Sequence, residues 1–164
     1  MFSSVLAPSS TTSTSSEART RAGRSSLNDT GFLVDTNVLS EGRRPRPERK
    51  VVDFVDAIPR SQLFVSVLTI GELRKGAEAR RRRDAASGHA LHDWIDIVER
   101  SFGRRVLPVD QPVARLWGEL SSDRPRPVVD TLIAATALVH GLTLVTRNTR
   151  DVAGTGLTLV NPWM

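Results

Sequence analysis

Acidic residues fall at four corresponding places along this chain. Asp35 follows the apolar run Phe32-Leu33-Val34 and opens the turn Asp35-Thr36-Asn37, after which an apolar helical start follows at once. Glu72 lies in the helix after a second apolar run, Leu63-Phe64-Val65. Asp130 sits near the start of the most apolar helix in the chain, and Asn148 and Asp151 follow a fourth run, Leu142-Thr143-Leu144-Val145. In an open α/β sheet, strand ends and the helix starts beyond them gather along one edge, where sites are built. Carboxylates brought together there repel, and several ionised in one cleft are costly unless a cation neutralises them. Oxygen-only ligation points to a hard cation, Mg²⁺ or Mn²⁺. Such an ion would polarise a phosphoryl oxygen and activate water, which is the chemistry of phosphodiester hydrolysis.

Each residue also has a plainer role open to it. Asp35 would serve as a helix cap. Glu72 stands three before Lys75, a spacing that pairs charges on a helix surface. Asp130 in a first turn suits the helix dipole, but its neighbours Val128, Val129, Leu132 and Ile133 predict burial, and a buried acid needs a partner. Asp151 would serve as a turn residue. It is their succession at strand ends and helix starts that favours a site.

The elements that must position these residues alternate from Gly31 onward. Short strands are expected at Phe32-Leu33-Val34, Leu63-Phe64-Val65, Val106-Leu107-Pro108-Val109, Leu142-Thr143-Leu144-Val145 and Leu157-Thr158-Leu159-Val160. Between them, apolar residues recur at helical steps: from about Glu48 to Ala57, after Ser66 as a cap, after a loop at Ser87-Gly88, after Asp110 as a cap, and from Val128 to His140. The last of these is apolar nearly all round and expected to be buried on most faces, with Gly141 stopping it. Strands spaced by helices imply an α/β/α domain around a mainly parallel sheet.

The chain has 164 residues, enough for one domain with a substantial core. Its 23 Lys+Arg exceed 18 Asp+Glu for a net charge of +5, and only Lys50 and Lys75 are lysine. Arginine forks suit an anionic partner. Arg43, Arg44 and Arg46 are candidate phosphate contacts or a solvated loop, and Arg80 to Arg83 a solvated helix end or a basic patch. Without cysteine, disulfides, thiolate zinc sites and cysteine nucleophiles are excluded. His89 and His92 stand three apart beside Asp93, either a ligand pair lacking a third partner or an exposed helix face. Trp94 and Trp117 fall on apolar faces, for the core or a dimer contact. No apolar run reaches membrane-span length, and the expectation is a soluble cytoplasmic protein. Residues 1–30 carry nine Ser and five Thr with little apolar material. They are expected to form a disordered tail, the alternatives being a transit peptide or a misassigned translation start.

Several linked segments resemble one family. Leu33-Val34-Asp35-Thr36-Asn37-Val38-Leu39-Ser40-Glu41, Thr69-Ile70-Gly71-Glu72-Leu73-Arg74-Lys75-Gly76 and Val129-Asp130-Thr131-Leu132-Ile133-Ala134-Ala135-Thr136-Ala137 are similar to the PIN-domain ribonucleases, specifically VapC-type toxins of type II toxin–antitoxin pairs. Leu144-Val145-Thr146-Arg147-Asn148 and Asn161-Pro162-Trp163 continue the likeness, which spans residues 31–164. The resemblance implies a Mg²⁺-dependent endoribonuclease (Mn²⁺ being the alternative) that leaves 5′-phosphate and 3′-hydroxyl ends. It also implies Asp35, Glu72 and Asp130 as the metal-binding acids, with Asp35 and Asp130 as direct ligands. Asn37 and Thr146 match polar positions that support the cluster. The fourth acidic position is open: some relatives carry Asp where Asn148 stands, others an acid where Asp151 stands. Homodimerisation and neutralisation by a cognate antitoxin are further implications. Two rival classes are a catalytically silent module binding RNA or protein, and another metal-dependent phosphoryl enzyme such as a nuclease acting on DNA.

Overall fold

A computed structural model describes residues 31–122 and 124–164; the tail expected over residues 1–30 lies outside them. The elements run β1 (Phe32–Val34), α1 (Thr36–Glu41), α2 (Arg49–Ala57), β2 (Leu63–Ser66), α3 (Val67–Arg81), α4 (Ala85–Phe102), β3 (Val106–Leu107), α5 (Gln111–Leu120), α6 (Val128–Val139), β4 (Thr143–Val145) and β5 (Leu159–Val160). The strands pair in the order β3-β2-β1-β4-β5, every pair parallel. The α/β/α arrangement with a parallel sheet is thus as the alternation implied.

Successive strand residues point to opposite faces, and that period divides the core in two. Val34, Leu63, Val65 and Val145 face α1 to α4, packing with Val38, Val51, Val55, Ile70, Leu73, Ile95 and Val98. Leu33 and Leu144 face the other way, onto Ile133, Ala134 and Ala137 of α6. The chain moves outward from β1 through β2 to β3, then returns to place β4 against the other side of β1. That reversal lies between β1 and β4, and open sheets form their crevices at such a point.

Local chemistry explains most boundaries. The Ser66 hydroxyl accepts from the Leu68 N–H at 3.2 Å, and the Asp110 carboxylate accepts from the Val113 N–H at 3.2 Å, as capping predicts. Glu48 caps α2 instead of joining it, its side chain accepting from Lys50 N–H. β3 is only Val106–Leu107, shorter than expected, because Pro108 has no N–H to extend the ladder. In α6, Thr131 and Ile133 to Ala137 are buried, whereas Val128 at its start is 55% exposed. Gly141 follows at φ +62°, a left-handed conformation that glycine adopts without strain.

Ser87-Gly88 is a correction. It forms no loop: α4 begins at Ala85, with the Asp84 carboxylate capping the Ser87 N–H at 3.0 Å. Gly88 is buried where α4 packs against α3, and an added Cβ would lie 2.4 Å from the Arg81 Cα. Glycine is there for close approach of two helices, which Arg74 also ties together through Asp96 and Glu99. Gly88→Ala is expected to lower stability by about 1–3 kcal/mol, the scale of core overpacking. A urea midpoint equal to that of the parent protein would show that the helices part without penalty.

Candidate active site

The reversal of strand order brings Asp35 and Thr146 together. Asp35 leaves the end of β1 with its N–H donating to the Val145 carbonyl of β4 at 3.1 Å. The residue is only 8% exposed, and its carboxylate is fully engaged on one side. One oxygen accepts from the Thr36 N–H at 2.6 Å, capping α1. The other accepts from Asn37 Nδ2 at 2.7 Å and from Thr146 Oγ1 at 2.7 Å. Cap and candidate ligand are therefore the same group. Asn37 in turn accepts from the Arg147 N–H at 3.2 Å, and the Thr146 hydroxyl accepts from the Asn148 N–H at 2.9 Å. These bonds clamp the loop after β4 onto the loop after β1.

β4 begins at the opposite edge, so α6 must run antiparallel to the strands and start at this edge, which places Asp130 here. Its carboxyl is pushed above the usual carboxylate range, first by burial and then by Asp151 and Asp35, with a hydrogen bond from Asn148 acting the other way. Asn148 Nδ2 donates both to Asp130 at 3.2 Å and to Asp151. The amide thus sits between two carboxylates and gives each a hydrogen bond without neutralising charge. Asn148 and Asp151 are partners in one arrangement, and both lie beside Asp130.

Glu72 approaches from α3. It is exposed, and it accepts from the Thr36 hydroxyl at 2.5 Å. The helix-surface pairing with Lys75 that the spacing allowed does not occur. Lys75 instead lines, with Asp35, Asn37, Glu72, Asp130 and Asn148, a single cleft of about 600 Å³. Lys75 was legible only as a surface neighbour of Glu72; its place on the cleft wall is a tertiary fact. The Thr36 hydroxyl likewise gains its role, holding Glu72, only from the tertiary fold.

The other candidates lie elsewhere. His89 is exposed, and His92 stands 3.9 Å from Glu78 on the α3–α4 hairpin. Arg80, Arg81 and Arg82 lie within ion-pair reach of Asp84 or Glu78, as a solvated helix end would. Arg44 pairs with Glu41 at 3.0 Å, while the Arg43 guanidinium stands 4.9 Å over the ring of Trp94, which packs on the core. Trp117 is half-buried on α5.

Among the described residues, no three carboxylate or imidazole groups stand close enough to form a preassembled metal cluster. The donor chemistry nonetheless fits a hard cation: the lining supplies carboxylate and amide oxygens, and Asp130 bears a repulsion that a cation would relieve.

A parallel α/β/α sheet with acids collected at its switch point has the build of a nuclease-type domain, and residues 32–153 match the family described as PIN domain. The chain belongs to that family. Within it, the likeness is to toxins of the VapC type: it is 33% identical to toxin FitB of Neisseria gonorrhoeae, over 80% of this chain and 98% of that one. It is also 33% identical to VapC ribonuclease Y4jK of Sinorhizobium fredii, over 80% of this chain and 97% of that one. Among solved structures, the crystal structure of FitAcB from Neisseria gonorrhoeae matches with a TM-score of 0.75 at 33% identity, covering 80% of this chain and 98% of that one.

Proposed function

We propose that this chain is a divalent-metal-dependent endoribonuclease, the toxin of a toxin–antitoxin pair. The observation that carries the reading is the convergence of Asp35, Glu72 and Asp130 on one cleft at the switch point. Support for the substrate class comes from a relative named as a ribonuclease. An antitoxin partner accords with similarity to toxin FitB and to solved toxin–antitoxin complexes, among them one from Klebsiella pneumoniae. A homodimer is part of the same family reading. No helix among the described residues is long and apolar enough to cross a membrane.

On this reading Asp35 and Asp130 hold Mg²⁺, with Glu72 and the Asn148–Asp151 pair assisting. When bound, the ion would polarise a phosphoryl oxygen and ease deprotonation of water. The chain's own residues do the rest. Thr146 and Asn37 fix the orientation of the Asp35 carboxylate, and the Thr36 hydroxyl holds Glu72. Lys75 on the cleft wall offers its ammonium to the substrate phosphate. Water attacks phosphorus in line, the bond to the 3′-oxygen breaks, and that oxygen leaves as a hydroxyl, giving a 5′-phosphate on the other fragment.

Purified protein should cleave RNA in Mg²⁺ and fall to background in chelator, with DNA of the same sequence left intact. Cleavage equal in Mg²⁺ and chelator would remove the metal from the mechanism. Equal cutting of DNA would move the protein to the rival nuclease class.

A further inference from the structure

Beside the acidic cleft lies a second cavity of about 590 Å³ between α1, α3 and α4, lined by Arg43, Leu73, Arg80, Leu91 and Trp94. Thr36, Glu72 and Gly76 line both cavities. Gly76 stands inside α3, where glycine weakens a helix relative to alanine. An added Cβ at Gly76 would meet nothing within 4 Å, so packing does not require glycine there. What the missing side chain leaves open is the junction between the two cavities.

Their chemistry differs. The first is walled mainly by carboxylates; the second shares Glu72 but is otherwise walled by an indole, two leucines, two guanidiniums and hydroxyls. Arg43 lies over Trp94 and, among the described residues, forms no ion pair, whereas its neighbour Arg44 is held by Glu41. Arg80 at the other rim is 3.5 Å from Asp84 and more than half exposed.

We propose that the second cavity is a nucleobase subsite that takes an unpaired nucleotide next to the scissile phosphate. This rests on the ribonuclease reading of the acidic cleft. Unpaired bases are recognised by stacking on aromatic rings and on the planes of arginine side chains. The Arg43–Trp94 stack offers such a surface, and Arg43 and Arg80 at the rim suit the adjoining phosphate. An apolar peptide would satisfy Leu73 and Leu91 but bring Arg43 no anion; a guanidinium held over an indole without a carboxylate partner favours a nucleotide. A duplex keeps its bases stacked internally, so the subsite would select single-stranded RNA at the cut.

The test is binding of a short unstructured RNA by fluorescence anisotropy in Ca²⁺, with cleavage of the same RNA followed in Mg²⁺. The variants are Gly76→Leu, Arg43→Ala and Gly118→Leu. Gly118 lies in α5, also faces open space and lines neither cavity. Both leucine variants should raise the thermal midpoint, because each replaces a helical glycine. Gly76→Leu and Arg43→Ala should weaken binding about tenfold, the scale of losing one stacked base, while Gly118→Leu binds as the parent protein does. RNA affinity unchanged in Gly76→Leu and Arg43→Ala, or absent in the parent protein, would overturn the subsite and leave the cavity as a protein-docking face. Binding with the expected dependence but no cleavage in Mg²⁺ would uphold the subsite and refute the nuclease reading. Cleavage with unchanged affinity and unchanged cut positions in both variants would do the reverse.

Discussion

Asp35→Asn is expected to lower Mg²⁺-dependent RNA cleavage by about a hundredfold or more, the scale on which loss of one preorganised electrostatic group reduces turnover. The protein should remain folded, because an Asn oxygen still accepts the Thr36 N–H that caps α1. The other side of the carboxylate decides the remaining cost. There the new amide would face Asn37 Nδ2, donor against donor, while the Thr146 hydroxyl turns to accept. One mismatched polar contact at this site costs about 1 kcal/mol, too little to unfold an ordinary domain. Activity and thermal midpoint therefore separate: a large loss in the first, a few degrees in the second. Residual cleavage near that of the parent protein, in a variant verified as folded, would reduce Asp35 to a helix cap.

The features legible in the sequence were those set by local chemistry. Ser66 and Asp110 read as caps because capping needs only a side-chain oxygen and an N–H two or three residues on. Asp35 was legible as a strand-end acid, and the alternation of apolar runs with helical periods gave the parallel sheet. What escaped was set by contacts between elements rather than within one. Ser87-Gly88 carries the usual signal of a loop, yet Gly88 serves contact with Arg81 on the preceding helix, a contact made only when α4 folds back on α3. Glu72 and Lys75 look like a surface pair, and only the packing of α1 near α3 gives Glu72 its bond to Thr36. The contact between Asn148 and Asp151 escaped for a similar reason. The loop after β4 folds back so that the Asn148 amide bridges Asp130 and Asp151.

Asp130→Asn should abolish cleavage and at the same time make the metal-free protein slightly more stable. The ionised carboxylate of Asp130 is opposed by burial, by Asp151 and by Asp35, and its folded-state pKa lies above the usual range. An acid with a raised folded pKa disfavours the folded state fully above that pKa, and the penalty fades as pH falls through it toward the unfolded value. The helix dipole works the other way, favouring a charge in the first turn of α6 by about 0.3–1 kcal/mol. The net shift is upward, so repulsion and burial prevail. Because the group is half-buried, solvent screening holds the gain on substitution below about 1 kcal/mol. Asn can still accept the hydrogen bond from Asn148, so the arrangement survives. In chelator at neutral pH, Asp130→Asn should melt above the parent protein, and the difference should shrink as pH is lowered through the raised pKa. Adding Mg²⁺ should reverse the order. A cation at about a hundred times its Kd stabilises the protein that binds it by about 2.7 kcal/mol, which exceeds the gain from removing the charge. The variant, lacking that ligand, should respond weakly. If Mg²⁺ raises both midpoints equally, Asp130 does not hold the ion; if the variant melts below the parent protein in chelator, the acids at this edge are not in conflict.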